Sequence, residues 1–263
     1  MTASVYSRAI DRGRHLDWDG CFNARDLGGL RTVDGRTTRF GVLVRADLLD
    51  HLTETGRSAL GDYGVRTIVD LRNDWERQAV PEVPGVTTVH VPLDDDADHE
   101  LWEWIWAEEL DGTPLYYRPF LERKPERCAA AVAAIARAEP GGVVFHCGGG
   151  RDRTGLVALL VLALAGVEPE EIAADYELSN ERLPPLWVAR GMDDQRAEIA
   201  AILARRETTA RALILDLLDG FDAAAYLRAA GLSDDELARV RDRLLGSSAR
   251  TGRRGRRAGR TSP

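Results

Sequence analysis

Apolar and polar positions follow two different periods along this chain, and the change between them divides it. Val65 to Leu71 and Val86 to Pro92 are short apolar runs bounded by turn residues, and Gly142 to His146 is another. Such runs are typical of strands buried in a parallel sheet. Gly41 to Ala46 reads as a further strand, and Leu30 to Phe40 as a hairpin turning at Asp34-Gly35. Helix-like stretches lie between them. Thr53 to Tyr63 has Thr53 as its cap and Gly64 as its stop. Pro125 to Ala138 is alanine-rich, and Thr154 to Ala165 is apolar all round, hence a buried helix. From Pro169 to Leu245 everything reads as helix, and Ser233-Asp-Asp-Glu236 has capping-box spacing. Asp94 to Phe120 is irregular, acidic and aromatic, and residues 1–20 show no period.

Strands alternating with helices predict an α/β fold, here a central sheet flanked by helices with a helical C-terminal half. A length of 263 residues suits one large domain, read as 1–246, and can bury a core without disulfide or metal staples. Residues 247–263 hold six arginines and no acid in a Gly/Ser-rich stretch, and read as a disordered tail. That tail is a solvated end that could meet acidic phospholipid. The net charge of −8 therefore understates how acidic the rest is, which argues against nucleic acid as a partner. Three cysteines, Cys21, Cys128 and Cys147, are too few and too odd for a disulfide framework, and point to a reducing compartment. The longest apolar run, Leu156 to Ala165, is about half of what a membrane span needs. No apolar leader opens the chain, so a cytoplasmic location is expected.

One segment carries chemistry: Val143-Val-Phe-His146-Cys147-Gly148-Gly149-Gly150-Arg151-Asp152-Arg153-Thr154-Gly155. Three glycines let the backbone curl so that successive N–H groups share one concave anion site. The helix that follows adds its positive end to that site. Arg153 offers a planar fork for two phosphoryl oxygens. A cysteine in this field is favoured as thiolate, a nucleophile facing a bound phosphate. A nucleotide-binding loop is excluded, because Asp152 stands where that motif needs glycine before lysine. A sulfur-transfer loop also places cysteine at a strand end, but does not need the Arg153-Thr154 pair entering a helix.

His146-Cys147, five residues, then Arg153-Thr154 resembles the signature of the cysteine-based protein tyrosine phosphatase superfamily. Phe22-Asn23-Ala24-Arg25-Asp26-Leu27-Gly28-Gly29 resembles the N-F-R-D-L-G-G signature of a mainly bacterial and fungal branch, with Ala24 where Phe is frequent. Val69-Asp70-Leu71-Arg72 and Asp175-Tyr176-Glu-Leu-Ser179-Asn180 resemble further markers. The resemblance spans about residues 18 to 245. It implies a phosphatase fold acting on phosphotyrosine, with phosphoserine, phosphothreonine or phosphoinositides as further substrates. It implies Cys147 as nucleophile and Arg153 as the phosphoryl-binding residue. Thr154 would donate to the departing thiolate, and Gly148, Gly149, Gly150, Arg151 and Asp152 would complete the phosphate loop. His146 would steady that loop.

The general acid has two sources. The resemblance favours Asp152, within Arg151-Asp152-Arg153, while Asp94, Asp95 and Asp96 after a strand stay open. Asp70 is read instead as a structural partner of Arg72. Trp102, Trp104, Trp106, Tyr116 and Tyr117 fall in 99–120, read as a lid insertion or as a helix packed on the core. Arg25 and Asp26 are read as an internal ion pair, and Cys21 and Cys128 as buried thiols, either of which could resolve an oxidised Cys147. No His/Cys/Asp cluster has metal-ligand spacing, and no cofactor is called for. Two other functions stay open, a catalytically silent phosphate-binding module and a sulfurtransferase.

Overall fold

A computed structural model describes residues 13–78 and 82–246. The arginine-rich tail, with any lipid contact it makes, lies outside the described residues. Five strands form one sheet in the order β1 (Arg25–Asp26), β2 (Leu43–Ala46), β5 (Gly142–His146), β3 (Val65–Asp70), β4 (Thr87–His90). Only β1 runs antiparallel to its neighbour; the other pairings are parallel. The predicted hairpin is present outside this sheet, with Arg31 paired to Thr37 and the turn at Asp34-Gly35.

Strand alternation sorts the core into two sides. Val143 and Phe145 of β5 join Leu43 and Val69 on one side, while Val144 joins Val44 and Ile68 on the other. The second side is covered by α1 (Glu54–Asp62), through Leu60, and by Trp18. Thr53 caps that helix by accepting from the Gly56 N–H, and Gly64 follows it at φ +91°. The first side carries most of the helices. They are α2 (His99–Ala107), α3 (Tyr117–Arg123), α4 (Pro125–Arg137) and α5 (Asp152–Leu164). Six more follow: α6 (Pro169–Arg182), α7 (Pro184–Ala189), α8 (Arg196–Arg205), α9 (Ala210–Leu218), α10 (Ala223–Ala229) and α11 (Asp234–Leu245). Ten of the thirteen α5 residues are buried, which is why its sequence lacks a polar face. The capping box at Ser233 and Glu236 forms as the spacing predicts.

The irregular 94–120 stretch contains α2, a 3₁₀ turn at Pro114–Tyr116 and the start of α3. Leu101 and Ile105 point inward from α2, whereas Trp104 and Trp106 are exposed. Among the described residues no helix is long and apolar enough to cross a membrane.

Candidate active site

Three consecutive parallel strands, β5, β3 and β4, end at the same edge of the sheet, the edge where open α/β sheets place their ligands. Each hands on a functional side chain. Beyond β5 come Cys147 and the glycine loop, beyond β3 a 3₁₀ turn ending in Glu76, and beyond β4 Asp94. They meet at Arg153. Its Nη2 donates to Glu76 Oε1 at 2.7 Å, its Nη1 to the other Glu76 oxygen, and Nη1 lies 3.2 Å from Asp94 Oδ2. Glu76 is itself fixed, because its Oε2 also accepts from the Asn73 N–H at 2.9 Å.

The loop is held open from behind. The Gly148 carbonyl accepts from the Leu48 N–H at 3.1 Å, that of Gly149 from the Asn23 amide at 3.0 Å, and that of Gly150 from Arg45 Nη2 at 2.7 Å. Every peptide here is trans, so a carbonyl tied outward turns the next residue's N–H the other way. The N–H groups of Gly149, Gly150 and Arg151 thus face the loop's concave side, where an anion gains most from them. Gly150 has φ +68°, and a Cβ there would lie 2.4 Å from the Ala46 carbonyl oxygen. Arg151 precedes α5, whose first turn carries Asp152.

Cys147 is 3% exposed, recessed behind the loop residues that line the cavity. Burial would strip Arg153 of its proton, but Glu76, the Cys147 side chain and Asp94 together hold it charged well above its ordinary range. The hydroxyl of Thr154 is buried without a hydrogen-bond partner, free for a sulfur or a bound anion. His146 is buried as well, its Nδ1 3.3 Å from the Cys147 carbonyl oxygen, and burial lowers its pKa. The Asp70 to Arg72 pairing is present at 2.9 Å, with Asp50 on the far side of the guanidinium at 2.6 Å. Burial works against the Asp70 charge, yet Arg72 and His146 bring it down to about 2.

The four candidate acids sit in different surroundings. Burial pushes Asp94 up to about 6; Arg153 opposes this, and the charges of Glu76, Asp96 and Asp152 add to it. Asp95 is tied to Lys124 and Arg127, both at 2.9 Å. Asp96 accepts from Asn73 and from the Trp75 indole N–H at 2.7 Å. Asp152 is bound by Arg151 Nε at 3.1 Å and by the Tyr176 hydroxyl. Of these only Asp94 and Asp152 line the cavity.

That cavity, of about 410 Å³, opens between the loop, the 3₁₀ turn, the 102–116 segment and the 183–202 segment. Trp102 and Tyr116 line it from one side, and Leu183, Trp187 and Ile199 from the other. Tyr117 is buried, and its hydroxyl donates to the Asp152 carbonyl at 2.7 Å, bracing the start of α5. The 183–202 wall and Glu76 were missed by sequence reasoning. Asn73-x-x-Glu76 after a strand has capping-box spacing and could have drawn attention to Glu76; the helices of 183–202 carried no such signal.

One pairing is corrected. Arg25 and Asp26 do not bind each other, because neighbours on a strand point to opposite sides. Arg25 reaches Asn23 and Asp175, whereas Asp26 accepts from the Gly28 and Gly41 N–H groups and the Tyr63 hydroxyl. Cys21 and Cys128 are buried, as expected. The Cys21 thiol donates to Asp47 at 2.7 Å, and burial with that carboxylate pushes its pKa up; burial takes Cys128 up to about 12. Among the described residues no group of His, Cys, Asp and Glu could hold a metal ion.

Comparison with known proteins identifies the family. The model of the tyrosine phosphatase family matches residues 16–246. A Cupriavidus necator protein named as a candidate tyrosine-protein phosphatase is 33% identical over 192 residues, 65% of this chain and 65% of its own length. The triple specificity protein phosphatase PtpB of Mycobacterium tuberculosis is 29% identical over 284 residues, 86% of this chain and 98% of that one. A tyrosine-protein phosphatase of Nostoc commune is 28% identical over 226 residues, covering 76% and 73%. A crystal structure of P. aeruginosa TpbA with pTyr is a remote likeness, with TM-score 0.36 and 14% identity over 73% of this chain and 87% of that one. With a family match running from Leu16 through the loop to the end of the last helix, the chain belongs to the tyrosine phosphatase family.

Proposed function

We propose that this protein hydrolyses phosphate monoesters of tyrosine in proteins through a phosphocysteine intermediate. The observation that carries the reading is the loop itself. Three glycine carbonyls are tied outward, so that N–H groups and Arg153 converge beside Cys147. The names of the relatives support phosphotyrosine as substrate, and Trp102, Tyr116 and Trp187 suit the cavity to an aromatic ring.

In the first step the phosphoryl oxygens rest on the loop N–H groups and Arg153, and the Cys147 sulfur attacks phosphorus. The bond from phosphorus to the tyrosine oxygen breaks, and Asp94 gives its proton to that oxygen. Charge builds on the phosphoryl oxygens, where preorganised donors do most for the rate. In the second step water attacks phosphorus and Asp94 recovers a proton from it. The P–S bond breaks, phosphate leaves, and the Thr154 hydroxyl donates to the returning thiolate.

Asp94 is preferred to Asp152 as the acid because its carboxyl is protonated up to about pH 6 beside Arg153, whereas that of Asp152 is committed to Arg151 and Tyr176. Cys147, Arg153 and Thr154 are all intact, which disfavours a silent binding module. A sulfurtransferase has no use for an acid poised at a leaving oxygen. Cys147→Ser should lower turnover of a phosphotyrosine peptide by at least about 10³-fold while phosphate or vanadate binds within about tenfold of wild type. Residual turnover well above that, or faster reaction with thiosulfate than with the peptide, overturns the reading.

A further inference from the structure

The cavity is acidic, and its acids are unevenly occupied. Six acidic side chains line it against three arginines. Deep in the site Glu76 and Asp94 hold Arg153, and Asp152 holds Arg151. Arg151 is 6% exposed; its Nε and Nη2 donate to Asp152, while its buried Nη1 has no hydrogen-bond partner. At the mouth, Glu109 is paired with Arg205. Asp111 and Glu198 are exposed and make no ion pair among the described residues. Their placement is specific. Asp111 precedes Gly112, whose Cβ would lie 2.9 Å from Arg151 Nη2 and 3.6 Å from the side chain of Ile199, the neighbour of Glu198. Asp111 and Glu198 thus both line the cavity next to the place where Gly112 and Ile199 meet beside Arg151, and Arg190, which ends α7, lines it too.

From this arrangement we infer that the site selects phosphotyrosine flanked by lysine or arginine over acidic phosphopeptides and multiply phosphorylated headgroups, with Asp111 and Glu198 as the specificity-determining residues. The inference rests on the phosphatase reading and names its substrate class. A bound phosphate monoester adds negative charge to a lining that already has an excess of it, so further anions on the substrate are repelled. Flanking cations reach two unpaired carboxylates instead. Interactions at an exposed rim are screened by salt and act on selectivity more than on chemistry.

Two phosphotyrosine peptides differing only in flanking Lys/Arg or Asp/Glu test it, alongside phosphoinositide vesicles and para-nitrophenyl phosphate. In low salt the basic peptide should show about tenfold higher kcat/KM than the acidic one, falling to about twofold near 0.5 M salt. In Asp111→Asn/Glu198→Gln that ratio should collapse towards one. Equal rates for the two peptides, or faster turnover of the vesicles, overturn the inference while turnover of the small aryl phosphate leaves the phosphatase reading standing. A ratio that survives in the double variant overturns the assignment to these residues. Failure to hydrolyse para-nitrophenyl phosphate overturns the underlying reading instead.

Discussion

A carboxyl group that titrates near neutrality beside an arginine needs a strong opposing cause, and for Asp94 that cause is burial. The sign follows directly. With its pKa raised to about 6, the protonated form that an acid needs is present below that pH and is lost above it. Wild-type kcat/KM should therefore fall as pH rises through about 6, since this parameter reports the free enzyme. Asp94→Asn should flatten that limb and lower kcat by about 10²–10³-fold for a phenol-like leaving group, with a smaller loss for an activated aryl phosphate. If the limb persists in that variant and vanishes in Asp152→Asn, the acid is Asp152. Asp95 pairs with Lys124 and Arg127, and Asp96 accepts from Asn73 and Trp75, so Asn variants at these two positions should keep the limb.

At the scale of elements, β5, the glycine loop and α5 act as one unit whose shape is set where backbone meets backbone. Gly150→Ala puts a Cβ 2.4 Å from the Ala46 carbonyl oxygen at φ +68°, so β2 or the loop must move. A loss of about 2–4 kcal/mol in urea unfolding and at least tenfold in turnover is expected. In Gly149→Ala the new carbon meets only a Leu183 methyl at 3.7 Å, and the unfolding midpoint should stay near wild type. Equal destabilisation of both variants would contradict this geometry. This unit was also the most legible part of the sequence, because strand, loop and helix are local: β5 runs from Gly142 to His146 as the apolar run predicts. What needs contacts from afar was not legible. For 99–120 a lid and a helix packed on the core both stayed open, because Trp104 and Trp106 sit on the exposed side of α2, erasing the polar face that marks a helix. The helices around 183–202 were expected, but nothing local says that Leu183, Trp187 and Ile199 close one wall of the cavity. Arg25 and Asp26 invited pairing by adjacency, which β1 forbids.

Across the whole molecule, one carboxylate ties the N-terminal segment and two strands to the helical half. Asp175 of α6 binds Arg14, Arg25 at 3.1 Å and Arg45 at 2.6 Å, all buried. Arg45 in turn holds the Gly150 carbonyl, so the same charge network reaches the phosphate loop. Burial opposes the Asp175 charge, but the three guanidiniums outweigh it and hold the carboxyl far below its usual range. Asp175→Asn leaves three buried cations short of a counter-charge, a change worth about 3–5 kcal/mol. For a domain of this size that lowers Tm on the order of 10 °C. A depressed native pKa means the stabilisation is complete above the unfolded value of about 4 and is lost as pH falls below it. The gap in Tm between wild type and Asp175→Asn should therefore be widest near neutral pH and narrow steadily as pH is taken below about 4. Thermal unfolding of both proteins across that range measures it directly. Equal Tm values at neutral pH, or a gap that stays constant into acid, would show that the three arginines are held by their other hydrogen bonds rather than by this charge.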